Sequence, residues 1–327
     1  MDDKYNKYIK YIIFLIIVFP LKNLIKKIDK NLTDNSLLNT DEIVKKYLVN
    51  ETNINNLNQV IKPKLWIYLP YEKNSRKWNT FNDRNSLHFN QPYTNLTMKS
   101  IIDKCNISFD IAIIDDNSFK YLLPESNCVN VDEFSNPLKD NLRKLYIMEV
   151  LYKYGGFLVP YSFLCIKDLI EVYNKCTIDN GCFIVENVSN NSYGKTFSPD
   201  STFMGAIKNN KMVEEFIKFI KLNNKNLTDS IKLSNDLNRW CHKQVSNNKI
   251  TMLEATKIGT KKTDGKPLII EDIVGTTIPK LDNNLYGIYI QSEEIKRRHK
   301  YSWFTYLNEQ ELLSSNTVFT KYLLSSY

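Results

Sequence analysis

The sequence predicts an α/β protein, a mixed sheet flanked by helices with a hydrophobic anchor helix ahead of it. Three observations lead there. Apolar runs of strand length recur at 65–69, 109–114, 157–159 and 181–186, most of them closed by proline or acidic residues. Stretches of helical period lie between them, at 94–105, 118–123, 140–154 and 167–174. The sharpest boundary is Gly155-Gly156, which stops the periodic run before Phe157-Leu158-Val159 begins; glycine accepts the left-handed conformation that ends a helix.

Bulk properties agree with a globular chain. At 327 residues, with 43% hydrophobic and 24% charged residues, it has the size and core-forming content of one large domain. The organisation read from the sequence is a membrane anchor or signal segment at 1–30, a polar, Asn-rich stem at 31–61 and the α/β domain at 62–327. Asn, Lys, Ile and Tyr are frequent, a bias of AT-rich genomes such as those of giant DNA viruses. The net charge of +8 comes from lysines scattered among acids. That is a solvated basic surface, and without zinc-finger spacing or an RNA-binding aromatic motif it argues against nucleic acid as a partner. None of the six cysteines forms a Cys-x-x-Cys, so buried free thiols are expected. In an oxidising compartment a pair such as Cys176 and Cys182 could bridge.

At the N-terminus, Lys4, Lys7 and Lys10 precede the apolar run 11–21, and Lys22 follows it. The run is shorter than the roughly 20 residues that span a bilayer. Snorkelling of Lys10 and Lys22 extends it to 8–25. The first reading is an uncleaved single-pass anchor in a viral or host membrane, because no small-x-small cleavage site follows. A cleaved signal segment and a soluble amphipathic segment are the other readings. Lysines on both sides leave the orientation unassigned.

The domain opens with the strand pattern 65–69, where Trp66 and Tyr68 suit core packing or stacking on a base. The next strand ends in Asp115-Asp116-Asn117. Ligands of open α/β sheets bind beyond the carboxyl ends of strands, so this acidic pair is placed to touch a ribose, a base or a metal; the simpler role is to cap the next helix. The helix of 140–154 takes Asp140 as its N-cap. It puts Glu149 and Lys153 on a solvent side and Arg143 with Ile147, Val150 and Leu151 on the other. Arginine on an apolar face requires a partner or a ligand, since burying a lone charge is costly. Asp140 one turn earlier is one such partner. Further helices are expected at 214–222 and 229–244.

Asp140, Arg143, Leu151, Tyr152, Tyr154, Gly155 and Gly156 together resemble the signature of the DxD-type glycosyltransferases of the GT-A fold, the group that includes initiating mannosyltransferases and capsular-polysaccharide-synthesis proteins. Phe203-Met204-Gly205-Ala206, and the run His299, Ser302, Trp303, resemble later segments of that family more loosely. The resemblance implies a Rossmann-like GT-A domain that takes a nucleotide sugar and a glycan or protein acceptor. It implies donor contacts from Asp140 and Arg143, beside the paired glycines Gly155 and Gly156. It also implies a divalent metal on the donor diphosphate, but this chain has Pro160-Tyr161-Ser162 where the two metal-binding aspartates fall. Neither proline nor serine suits a hard dication. No metal ligand is therefore assigned, and Mn²⁺ or Mg²⁺ enters only if Asp115 and Asp116 substitute. Without a metal, Arg297 and Arg298, beside His299 and Trp303, can supply the positive charge that a leaving diphosphate needs. A surface basic cluster is the alternative. Glu271 and Asp272 are the candidates for a general base on the acceptor hydroxyl, or else turn acids. The loss of the aspartates leaves two functional expectations: a working glycosyltransferase, or an inactive domain of that fold serving as a glycan-binding or structural component of a membrane or virion.

Overall fold

The computed structural model describes residues 46–51, 54, 62–70, 92–126, 128–135, 137–191, 194–224 and 230–326. The apolar segment at 8–25, most of the expected stem and residues 71–91 lie outside them. Among the described residues no helix is long and apolar enough to cross a membrane. One compact unit runs Tyr47–Tyr327.

Eight strands are present among the described residues: β1 Lys64–Tyr68, β2 Asp110–Ile114, β3 Gly156–Leu158, β4 Phe163–Cys165, β5 Cys182–Asn191, β6 Gly194–Ala206, β7 Thr251–Leu253 and β8 Gly287–Tyr289. The principal helices are α1 Tyr93–Cys105, α2 Phe119–Leu122, α3 Leu138–Tyr154, α4 Ile170–Thr177, α5 Lys211–Asn224, α6 Ser230–Ser246, α7 Ile270–Val274 and α8 Ser292–Arg297. Three short helices, α9 Ser302–Tyr306, α10 Glu309–Ser314 and α11 Val318–Ser325, finish the chain. Six strands form one sheet in the order β2-β1-β3-β6-β5-β7, and β4 pairs with β8 in a second. β2, β1 and β3 are parallel, β6 is antiparallel to both its neighbours, and β7 runs parallel to β5. The result is the mixed α/β architecture that the sequence predicts. A residue from before the expected domain start also joins it: Val49 is buried, and its N–H donates to Ile113 O at 2.9 Å.

The chain leaves β1 through α1 to β2 on one side, then returns through α3 to β3 on the other. That reversal makes the crevice beyond the carboxyl ends of β1 and β3 a topological switch point, where open α/β sheets receive ligands. Its floor is fixed by burial. Trp66, Ala112, Ile114 and Leu158 pack under Met148, Val150 and Leu151 of α3 and Val213 and Phe216 of α5 in one core cluster.

Helix α3 begins two residues before Asp140, with Pro137 at the N-cap position. Proline's fixed φ suits a helix start, and Asp140 falls in the first turn, where a carboxylate complements the helix dipole. Of the two side chains expected to face solvent, Glu149 is largely buried and Lys153 half-buried. Glu149 is 12% exposed and meets Lys221 of α5 at 2.6 Å, and Lys153 donates to Leu122 O at 3.3 Å. A second helix layer covers that side of α3, which the periodicity of α3 alone cannot register. β6 is the largest departure. Its run Lys195-Thr196-Phe197-Ser198-Pro199-Asp200 lacks apolar alternation, yet it forms a long ladder with β5, with a register shift at Ile184/Val185. Pairing with a neighbour, rather than local propensity, makes this strand.

Both glycines after α3 have positive φ, 68° at Gly155 and 109° at Gly156. A Cβ on Gly156 would stand 2.4 Å from Lys64 O. The turn therefore brings β3 against β1 at a distance only glycine permits. Gly156→Ala is expected to lower stability by about 3 kcal/mol in urea unfolding, from strained backbone and forced strand separation; a loss under about 0.5 kcal/mol would contradict this packing account.

Candidate functional site

Three sequence-predicted residues and one further tyrosine meet beyond the ends of β1 and β2. Asp116 follows β2, Arg143 projects from the second turn of α3, and Tyr68 is the last residue of β1. The Arg143 guanidinium grips Asp116 side-on: Nε lies 3.1 and 3.2 Å from the two carboxylate oxygens, and Nη2 lies 2.6 Å from Oδ2. Nη1 reaches Asp140 Oδ1 at 3.3 Å. Tyr68 Oη donates to Asp116 Oδ1 at 2.6 Å, and its ring stacks on Phe119 at 6.0 Å. Side-chain exposure falls from 52% at Asp140 to 14% at Asp116 and 10% at Arg143, so the group opens to solvent on the Asp140 side.

The electrostatics follow the geometry. Burial works against the Arg143 charge, but the Asp116 hydrogen bonds and the surrounding negative charge outweigh it and push its pKa up. Burial, with Asp116 beside it, pushes the Tyr68 phenol far above the usual tyrosine range. At neutral pH the group is a fixed cation on a fixed anion, with a neutral phenol closing one edge. The bonds to Asp116 and Asp140 use three of the five guanidinium N–H donors. The remaining two can meet a phosphate or sugar oxygen from the open side.

Asp115 does separate work. It is 6% exposed, and its Oδ1 stands 2.8 Å from Ser118 N and 2.7 Å from Ser118 Oγ, holding the turn into α2. Of the acidic pair, Asp115 thus takes the capping role and Asp116 joins Arg143. Gly155 lies behind the site: its carbonyl accepts from Trp66 Nε1 at 2.8 Å, which places Trp66 in the core. Pro160-Tyr161-Ser162 leads from β3 to β4. Ser162 is 2% exposed and donates its hydroxyl to Ile290 O at 2.7 Å, while Tyr161 Oη lies 3.3 Å from Ser292 Oγ.

A divalent metal does not fit these residues. Pro160 offers no side-chain donor, the Ser162 hydroxyl is committed, Asp115 holds Ser118, and both oxygens of Asp116 are engaged by Arg143. Among the described residues no group of three or more His, Cys, Asp or Glu side chains is placed to hold a metal ion.

The other candidates lie on α7, at the end of α8 and just beyond it. Glu271 and Arg298 make a bidentate pair, Nη2–Oε1 2.5 Å and Nη1–Oε2 3.1 Å. Arg298 also meets Glu294 at 3.3 Å and lies over the Tyr301 ring at 4.9 Å. Asp272 accepts from Ile269 N at 3.1 Å and from Lys262 Nζ at 3.0 Å, which closes the first turn of α7. His299 is exposed, and Trp303 is 43% exposed, edge-on to Phe304. Arg297 ends α8, and its side chain lies outside the described residues.

Tyr68 is the residue that sequence reasoning undervalued. Its apolar setting suggested core packing or stacking on a base, but a hydroxyl on the last strand residue, just before Leu69-Pro70, reaches Asp116 at the strand end. Thr97 and Ser292, which border the 160–162 segment, carry no sequence signal of their own.

Scans of protein-family models and of curated proteins find no match to this chain. Among solved structures it aligns with one titled "PaToxG Glycosyltransferase", at 11% identity and a TM-score of 0.35, over 60% of this chain and 79% of that one. A likeness this slight establishes neither family nor activity.

Burial pushes the Glu271 carboxyl up, but hydrogen bonds from Arg298 and Tyr301 and the Arg298 charge prevail and hold it below its ordinary value. A lowered carboxyl pKa stabilises the fold fully above the unfolded value of about 4.3, and that contribution fades as pH falls through the lower folded value. Between about pH 5 and pH 3, Glu271→Gln should lose less melting temperature than the parent protein; parallel losses would show that the pair contributes nothing.

Proposed function

We propose that this chain is a glycosyltransferase-like protein that takes a nucleotide sugar in the crevice beyond β1 and β3 without a divalent metal, and passes the sugar to a glycan or protein acceptor. The observation that carries the reading is the Tyr68–Asp116–Arg143–Asp140 group, which lies beyond the ends of β1 and β2 and so borders the switch-point crevice at β1. Arg143 has two N–H donors left for the donor's polar groups, and Asp140 presents an exposed carboxylate suited to hydroxyls.

In this reading positive side chains do the work a metal does elsewhere. Arg298 exchanges Glu271 for the diphosphate as the donor arrives, aided by Arg297 and His299, with Trp303 alongside. The exchange has a second consequence. Released from Arg298, Glu271 regains basicity and becomes the better of the two candidate general bases, since Asp272 stays bound to its own helix turn. Attachment to a membrane through residues 8–25 belongs to the same proposal.

The second reading is an inactive domain of this fold that binds glycan or serves as a structural component of a membrane or virion. The internal contacts of Tyr161 and Ser162 favour it, because the Ser162 hydroxyl and the Tyr161 carbonyl are bonded within the fold rather than offered to a ligand.

Calorimetric titration of the full chain with a panel of nucleotide sugars, with and without Mn²⁺, separates the two. The first reading predicts metal-independent binding, weakened about tenfold or more by Arg298→Ala and by Arg143→Lys, since one lost charge-assisted contact is worth about 1.4 kcal/mol or more. Absence of binding by any donor in folded protein would remove the enzyme reading and leave the scaffold.

A further inference from the structure

We propose that Cys105 and Cys165 form a disulfide cross-link site, closed when the chain folds in an oxidising compartment, that staples α1 to the segment following Pro160. The two sulfurs lie 4.0 Å apart, and both residues are fully buried. Each is the last residue of its element, Cys105 of α1 and Cys165 of β4. All six cysteines lie among the described residues, and only these two bring their sulfurs into contact.

The surroundings hold the pair in register. One face of α1 is tied to the 161–165 segment at two more points: Thr97 Oγ1 lies 2.6 Å from Tyr161 O, and Cys165 N donates to Ser100 Oγ at 2.9 Å. Thr97 and Ser100 are three residues apart on neighbouring turns of α1, and Cys105 ends the helix beyond them. The Cys165 thiol also lies 3.1 Å from Lys167 O. Neighbouring backbone is thus bonded on both sides of Cys165, and the sulfurs have only to close from 4.0 Å to the S–S bond length of about 2.05 Å.

The chemistry is a two-electron oxidation. The two thiols lose two protons and two electrons as the S–S bond forms, and a low-molecular-weight disulfide such as oxidised glutathione takes the electrons and is cleaved to two thiols. Burial pushes the Cys165 thiol up, which together with its inaccessibility blocks exchange in the folded protein. The bond therefore forms during folding, before α1 closes over β4. It would bridge a separation of 60 residues, a span long enough to restrict the unfolded chain substantially. The site is independent of nucleotide-sugar binding and stands or falls separately.

The test is refolding of the full chain with reduced and oxidised glutathione, followed by alkylation under denaturing, non-reducing conditions and intact and peptide mass analysis. The expected product has four alkylated cysteines of the six, a peptide linking Cys105 to Cys165, and a folded-to-unfolded ratio about thirtyfold or more above the reduced form. Cys176→Ser should give the same link, and Cys105→Ser should abolish it. Six alkylated thiols after oxidative refolding, or a link between another pair such as Cys176 and Cys182, would overturn the proposal.

Discussion

One ion pair organises the candidate site. Arg143 on α3 grips Asp116 beyond β2, and Tyr68 at the end of β1 closes the free edge of the same carboxylate. Three elements far apart in sequence are joined by one buried charge. The Asp116 carboxylate would be costly to bury alone, and so would the guanidinium; held together and hydrogen-bonded, they become a rigid base for whatever enters the crevice. The same pairing makes Asp116 a poorer ligand for a dication, because Arg143 bonds to both of its oxygens.

The crevice itself comes from topology and from two glycines. Parallel pairing of β1 with both β2 and β3 sets the switch point, and the close approach at Gly156 lets β3 lie against β1 where a side chain would hold it away. The segment after β3 then runs between α1 and the end of β8, with its polar groups met by Thr97, Ser292 and Ile290. Pro160-Tyr161-Ser162 is thus a neutral connection bonded to its neighbours in the fold.

Much of this was legible in the sequence because it depends on local rules. The glycine stop after α3, the strand that ends in Asp115-Asp116 and the need of Arg143 for a partner follow from backbone preference and the cost of buried charge. Asp140 was foreseen as the partner, and it does meet Arg143, but the closer bonds go to Asp116, 27 residues away, a choice that only the packing of α3 across β2 can make. Helices α5 and α6 were visible in their periodicity, whereas β6 was not, since its strand character comes from β5. The buried side of Glu149 and the Cys105–Cys165 contact likewise arise from pairing between distant segments. Glu271 and Arg298 were both noticed, in different roles; that they hold each other is a fact of the tertiary structure.

The most direct test of the central interaction is a double-mutant cycle on Asp116→Asn and Arg143→Gln, read by urea unfolding of both single variants and the double. If the pair anchors the site, the coupling free energy is about 2 kcal/mol or more, and the double variant is less damaged than the sum of its parts. Additive losses, with coupling below about 0.5 kcal/mol, would mean that the two side chains do not depend on each other and that the site has no such keystone.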